Sequence, residues 1–141
     1  MSAPYHGSCL CDGVRFTVSS GPMGITECYC GHCRKGSGGN SQIMAVFAGK
    51  DVTFESGQDR VATYTFTNTT SGKGKDKTFC KTCGAQLWTV PDAAKSSNLL
   101  LIRTSLLDEG LEMKPDNAIF TRTRPAWVPA IEGVENHEAA P

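Results

Sequence analysis

The sequence has no excess of either charge. Lys and Arg number 14, Asp and Glu number 14, and the net charge is zero. Without a basic field, nothing draws the chain onto nucleic acid or an acidic membrane surface. Long apolar runs are missing too. The longest aliphatic stretch, in NLLLI up to Ile102, is a fraction of the roughly 20 residues a membrane-spanning helix needs. The opening MSAPYHGSCLC has no basic segment followed by an apolar one, so no secretory signal is expected and the default location is cytoplasmic. Helical periodicity is scarce, and only three histidines are available for acid–base or ligand duty. At 141 residues the chain suits one compact domain and not two.

Cysteine is what the chain has in unusual number. There are seven, grouped as Cys9-x-Cys11, Cys28-x-Cys30-x-x-Cys33 and Cys80-x-x-Cys83. An odd count with no export signal speaks against a disulfide framework, because the cytosol keeps thiols reduced. Spacings this short let neighbouring sulfurs converge on one tetrahedral ion, with Zn–S near ~2.3 Å. Zinc is the expected metal.

Most other segments read as short strands. VRFTV (Val14 to Val18) and VATYTFTN (Val61 to Asn68) alternate with period two. QIMAVFAGKDVTF (Gln42 to Phe54) reads as two strands around an AGKD turn. AQLWTV (Ala85 to Val90) is a strand stopped by Pro91, NLLLIRTSLL (Asn98 to Leu107) a buried one, and AIFTRT (Ala118 to Thr123) a last one. PDAAKS suits a single helical turn, and SLLDEG a turn closed by Gly110. TSGKGKDK (Thr70 to Lys77) reads as a solvated hairpin loop, since it lacks the glycine spacing and helix of a phosphate cradle. The end, EGVENHEAAP, is polar and expected to fray. Phe16, Phe47, Phe54 and Phe66 are assigned to the core, Trp88 and Trp127 to the core or its rim, and Arg122 and Arg124 to a solvated face.

A closed zinc site takes four protein ligands, and a catalytic one keeps three with a position open. Seven cysteines divide accordingly: Cys9, Cys11, Cys80 and Cys83 as the closed site, and Cys28, Cys30 and Cys33 as the open one. The rival pairing, Cys30 and Cys33 with Cys80 and Cys83, strands the other three cysteines and spans a gap longer than zinc ribbons use. Ligand count prefers the first. His32 sits too close to Cys33 to share its metal, and His6 and His137 have no ligand spacing to the trio. Arg34, Lys35, Lys77 and Lys81 flank the motifs and can offset their negative charge.

The stretches GSCLCDGVRFTV, CYCGHCRKGSGG, FCKTCGAQLW and KPDNAIFTRTRPAW, in that order from about Gly7 to Trp127, resemble the glutathione-dependent formaldehyde-activating (GFA) enzymes, a family that includes centromere-protein-V-like proteins. The resemblance implies a mainly β, Mss4-like (β-tent) fold of short antiparallel sheets held by zinc. It places a single zinc-binding domain over residues 5–131 and a polar tail over 132–141. It also implies a structural zinc at Cys9, Cys11, Cys80 and Cys83, and a catalytic one at Cys28, Cys30 and Cys33. The implied chemistry is carbon–sulfur lyase chemistry, making or breaking an adduct such as S-hydroxymethylglutathione. Many relatives carry histidine in a P-x-x-H-I pattern where this chain has Ala118, and the loop before Phe79 is longer than usual.

The expected partner is thus a small-molecule thiol or thiol adduct, with glutathione as co-substrate. Neither nucleic acid nor membrane is expected, and a homodimer is left open. His32 is the candidate proton shuttle, and Arg34 and Lys35 the candidate receptors for glutathione carboxylates. Two readings compete with the lyase. One is zinc-assisted elimination, hydration or isomerisation of another small molecule on the same scaffold; the other is a non-catalytic interaction module.

Overall fold

The computed structural model describes residues 2–140. Eleven strands and two short helices follow one another along the chain: β1 (Tyr5–Ser8), β2 (Arg15–Val18), β3 (Ile25–Cys28), α1 (Gly31–Ser37), β4 (Gln42–Ala48), β5 (Val52–Ser56), β6 (Val61–Phe66), β7 (Lys75–Cys80), β8 (Gln86–Pro91), α2 (Asp92–Lys95), β9 (Leu99–Arg103), β10 (Asn117–Ile119) and β11 (Glu135–Asn136). The mainly β class expected from the resemblance is what the structure shows. Strands β1-β2-β5 make a small antiparallel sheet, and β11-β10-β3-β4-β9-β8-β7-β6 a large one. The large sheet is antiparallel except at one edge, where β10 runs parallel to both β3 and β11. No helix among the described residues is long and apolar enough to cross a membrane.

The period of two along the strands decides which face each side chain takes. On β4, Ala45 and Phe47 point to the small sheet, and on β9 Ile102 does the same. They meet Tyr5, Phe16 and Val18 of the small sheet in one core. A register shift between β7 and β8 leaves Leu87 unpaired beside Trp88. Both residues of this bulge therefore reach the core, an outcome plain alternation would forbid. Gln42, Met44, Leu101 and Arg103 alternate to the opposite face, on which α1 lies.

Phe16 is the centre of the contact between sheets. Its ring stands edge-on to Trp88 at 5.6 Å, and Phe54 meets the same indole at 5.7 Å. Room for it comes from its cross-strand neighbour Gly7, where a Cβ would lie 2.2 Å from the Phe16 ring. Phe16→Ala is expected to destabilise the metal-loaded protein by ~3–5 kcal/mol, and Gly7→Ala by ~1–3 kcal/mol through overpacking. Urea titrations at unchanged slope measure both.

Gln42 to Phe54 holds the expected two strands and turn, and β4 and β5 belong to different sheets. Other expectations need correction. The apolar run from Asn98 stops being strand at Arg103 and turns through Thr104–Leu106. GHCRKGS makes α1, a helix with no apolar period to announce it. The last three residues of TSGKGKDK begin β7. Residues 132–140 are not frayed: β11 pairs with β10, His137 N–H donates to Ala118 O at 2.8 Å, and Val134 is buried; Pro141 lies outside the described residues.

Candidate metal centre and its cavity

Cysteine sulfurs converge in two places. Cys9, Cys11, Cys80 and Cys83 form one group and Cys28, Cys30 and Cys33 the other, each with its sulfurs within 4.8 Å of one another. In the first group Cys9 and Cys11 Sγ are 3.6 Å apart, and Cys11 and Cys80 Sγ are 3.9 Å apart. Thiolates bonded at ~2.3 Å to one tetrahedral zinc stand ~3.8 Å from each other, so this group already has metal-holding separations.

Local backbone geometry makes the first group. Cys9 and Cys11 lie in the β1–β2 connection, where Val14 N–H donates to Cys9 Sγ at 3.2 Å. Cys80 ends β7, and Cys83 sits in the turn to β8 that Gly84 N–H closes on Cys80 O at 2.7 Å. The backbone N–H of Ala85 pulls the Cys83 thiol down to about 6. The Cys83 N–H lowers the Cys80 thiol in the same way. Thiols that ionise readily are the metal-binding form. The group ties a hairpin of the small sheet to a hairpin of the large one.

The second group is built by a strand running into a helix. Cys28 ends β3, and Cys30 caps α1, its Sγ accepting from Cys33 N–H at 3.4 Å. Cys28 and Cys33 are buried and Cys30 half-buried. Hydrogen bonds from Cys28, then from Cys33, hold the Cys30 thiol far below the ordinary range, while the same contact pushes Cys28 up. Its neighbours' hydrogen bonds therefore favour the thiolate form of Cys30. Gln42 Nε2 donates to Cys33 Sγ at 3.7 Å. No histidine or carboxylate joins the three among the described residues.

A cavity of about 480 Å³ opens onto this trio. Its floor is the row Leu101, Thr89 and Lys77, cross-strand neighbours on β9, β8 and β7, beside Met44 of β4. Phe66 and Phe120 supply apolar walls, and the loop between β6 and β7 forms one edge. Lys75, Lys77 and Arg122 line it, and no acidic side chain does among the described residues. Lys77 Nζ donates to His32 O at 3.0 Å and stands 5.9 Å from the centre of the Phe66 ring. Burial first, and then repulsion from Arg103, lower its pKa. Thr89 Oγ1 is buried without a hydrogen-bond partner.

The family model described as "Glutathione-dependent formaldehyde-activating enzyme" (GFA) matches residues 4–123, which include all seven cysteines. The chain belongs to the GFA family. A Halomonas elongata protein described as "Putative glutathione-dependent formaldehyde-activating enzyme" is 27% identical to it over 125 residues, 87% of this chain and 78% of that protein. The crystal structure of a Rhodobacter sphaeroides protein shares the fold, with a TM-score of 0.58 at 20% identity over 78% of this chain and 91% of that one.

In this GFA-family chain, His32 lines the cavity, its ring 4.6 Å from that of Phe66. Arg34 and Lys35 are exposed on α1 and do not line it. Phe66 is buried as the sequence suggested and also walls the cavity, and Arg122, exposed as expected, stands at its rim. Trp88 is in the core, whereas Trp127 is 76% exposed. Ala118 packs with Tyr29 and Val134, and its neighbour Ile119 is the one that lines the cavity. Position 118, where the resemblance led one to look for histidine, therefore lies behind the wall. Lys75 and Thr89 were missed in the sequence. The alternation of Lys75 and Lys77 just before FC is the signal that could have shown Lys75.

Proposed function

We propose that the protein is a zinc-dependent carbon–sulfur lyase that makes or breaks a thiol adduct such as S-hydroxymethylglutathione, with one zinc closed by Cys9, Cys11, Cys80 and Cys83 and a second held by Cys28, Cys30 and Cys33. The observation that carries the reading is the trio of convergent sulfurs with no fourth ligand among the described residues, facing a cavity lined by cations. The donor sets fit: four sulfurs at tetrahedral separations suit a structural ion, and three beside an open cavity suit a catalytic one. Zinc bound at the trio supplies Lewis acidity toward an oxygen and favours the thiolate form of a thiol.

The chain's own residues do the rest. Lys75, Lys77 and Arg122 receive the carboxylates of an anionic thiol, which replaces the earlier candidates Arg34 and Lys35 in that role. Phe66, Phe120, Met44 and Leu101 exclude water around the reacting carbon. In the synthetic direction the thiolate sulfur attacks the aldehyde carbon and the carbonyl oxygen takes up a proton. In the reverse direction the carbon–sulfur bond breaks as the hydroxyl gives that proton up. His32, on the cavity wall, carries it either way.

Exchange NMR between formaldehyde, glutathione and their adduct tests this directly. The expected result is faster exchange with the zinc-loaded protein than with buffer or with an equal amount of free zinc. No acceleration for any thiol tried overturns the reading. Lys75→Gln and Arg122→Gln are each expected to raise KM for the glutathione adduct ~10-fold with kcat nearly unchanged, a loss of ~1.4 kcal/mol of binding that is uniform between ground and transition states. A thiol adduct without carboxylates is expected to show no such rise.

A further inference from the structure

Arg103 is the least explained charge in the molecule. It ends β9 beneath α1, is 5% exposed, and forms no ion pair among the described residues. A guanidinium taken out of water needs a compensating negative charge or a full set of acceptors. Nε donates to Gln42 Oε1 at 2.6 Å and Nη2 to Gln86 Oε1 at 2.7 Å, but Nη1 is buried with no partner. The nearest cation makes matters worse, since Lys77 belongs to the same layer. At Gly36 the helix rests on that layer, where a Cβ would lie 2.5 Å from Lys77 Nζ, 2.8 Å from Gln86 Oε1 and 3.4 Å from Arg103 Nη2.

The negative charge lies on the far side of Gln42. Arginine can only donate, so its Nε fixes which end of the Gln42 carboxamide faces it. Oε1 turns to Arg103, and Nε2 is thereby aimed at two sulfurs, Cys33 Sγ at 3.7 Å and Met44 Sδ at 2.9 Å. Gln42 is itself only 4% exposed. Burial brings the Arg103 guanidinium down to about 10 while the Cys33 sulfur acts in the opposite sense, and Arg103 is a cation at neutral pH.

We propose that Arg103, acting through Gln42, is the positioning residue of the three-cysteine site: it locks the Gln42 amide as a donor to Cys33 and sets a buried positive charge behind that sulfur. The inference rests on the reading that the trio holds a metal. Three thiolates and one divalent ion keep one net negative charge, and Arg103 is the fixed cation placed to balance it without occupying the cavity. Hydrogen-bond partners behind a metal ligand typically change metal affinity ~10–100-fold.

The test withdraws zinc from the reduced, fully loaded chain with a competing chelator and counts the ions remaining by native mass spectrometry. Gln42→Glu is the informative variant. It keeps an acceptor for Arg103, but it has no donor for Cys33 and adds negative charge beside it. In Gln42→Glu and Gln42→Leu the second zinc is expected to leave at ~10–100-fold lower chelator while the first is unmoved. Arg103→Lys keeps the charge without the planar fork, so its second zinc should fall between those variants and the wild type. With cobalt in place of zinc, the sulfur-to-metal absorption of the trio should shift in these variants while that of the four-cysteine site stays. Equal retention of the second zinc in Gln42→Glu and wild type overturns the proposal. Parallel weakening of both sites does so too, because it marks a general loss of fold support. Uptake of a single zinc by the wild type sinks the metal reading of the trio, and this proposal with it, before any variant is compared.

Discussion

Replacing Cys80 by serine is expected to cost the protein its fold and not merely one metal. Cys80 is fully buried and belongs to the main core together with Cys9. Its group is the only place where four sulfurs draw the β1–β2 hairpin against the β7–β8 hairpin among the described residues. The small sheet that this holds down is three strands of four or five residues, short enough that a metal cross-link adds materially to its core packing. Structural zinc in small domains supplies an apparent ~10–16 kcal/mol to folding, against a typical net stability of ~5–15 kcal/mol. Losing even a third of that lowers Tm by more than ~10 °C in a chain of this size. Circular-dichroism melts of the reduced, metal-loaded proteins measure the drop, and a strong chelator added to wild type should reproduce it. A Cys80→Ser variant that melts with wild type would show that the four cysteines do not hold the sheets together.

The grouping of the cysteines in space follows their grouping in sequence, because C-x-C and C-x-x-C turns are short enough to fix sulfur separations locally. Strands β2 and β6 were legible because each carries its own alternation, and β4, β8 and β9 because each is a short apolar run. Two kinds of feature were not. Helix α1 has only seven residues, with two glycines and one buried side chain, Cys33, so no apolar period exists to read. Its capping comes from the Cys30 sulfur, which a search for Ser, Thr, Asp or Asn passes over. The second kind is defined by the sheet's order and not by any local pattern. Gln42, Gln86 and Arg103 come from three strands that only the register brings under one helix. Arg103 in particular sits in an apolar run, where a single charge reads as the end of a strand.

The contrasting expectation concerns Cys30. Serine at that position keeps what the fold needs: an N-cap whose side-chain oxygen accepts from the Cys33 N–H, the bond that Cys30 Sγ makes at 3.4 Å. The side chain is half-buried at the cavity edge, so the smaller oxygen leaves no closed void in the core. Tm is therefore expected within ~4 °C of wild type, the shift of a change near ~1 kcal/mol. The chemistry should not survive. Cys30 is one of only three sulfurs converging at this site, its thiolate form favoured by the other two, and a serine hydroxyl does not ionise to replace it. The metal count should drop from two to one, and adduct exchange should fall ~100-fold or more, since Lewis-acid stabilisation is worth several kcal/mol. Folding and function are thereby assigned to different cysteines: Cys80→Ser should lose both, Cys30→Ser only the second. Exchange that persists in a folded Cys30→Ser protein holding one metal would move the reaction away from the trio altogether, and leave the cavity with a binding role alone.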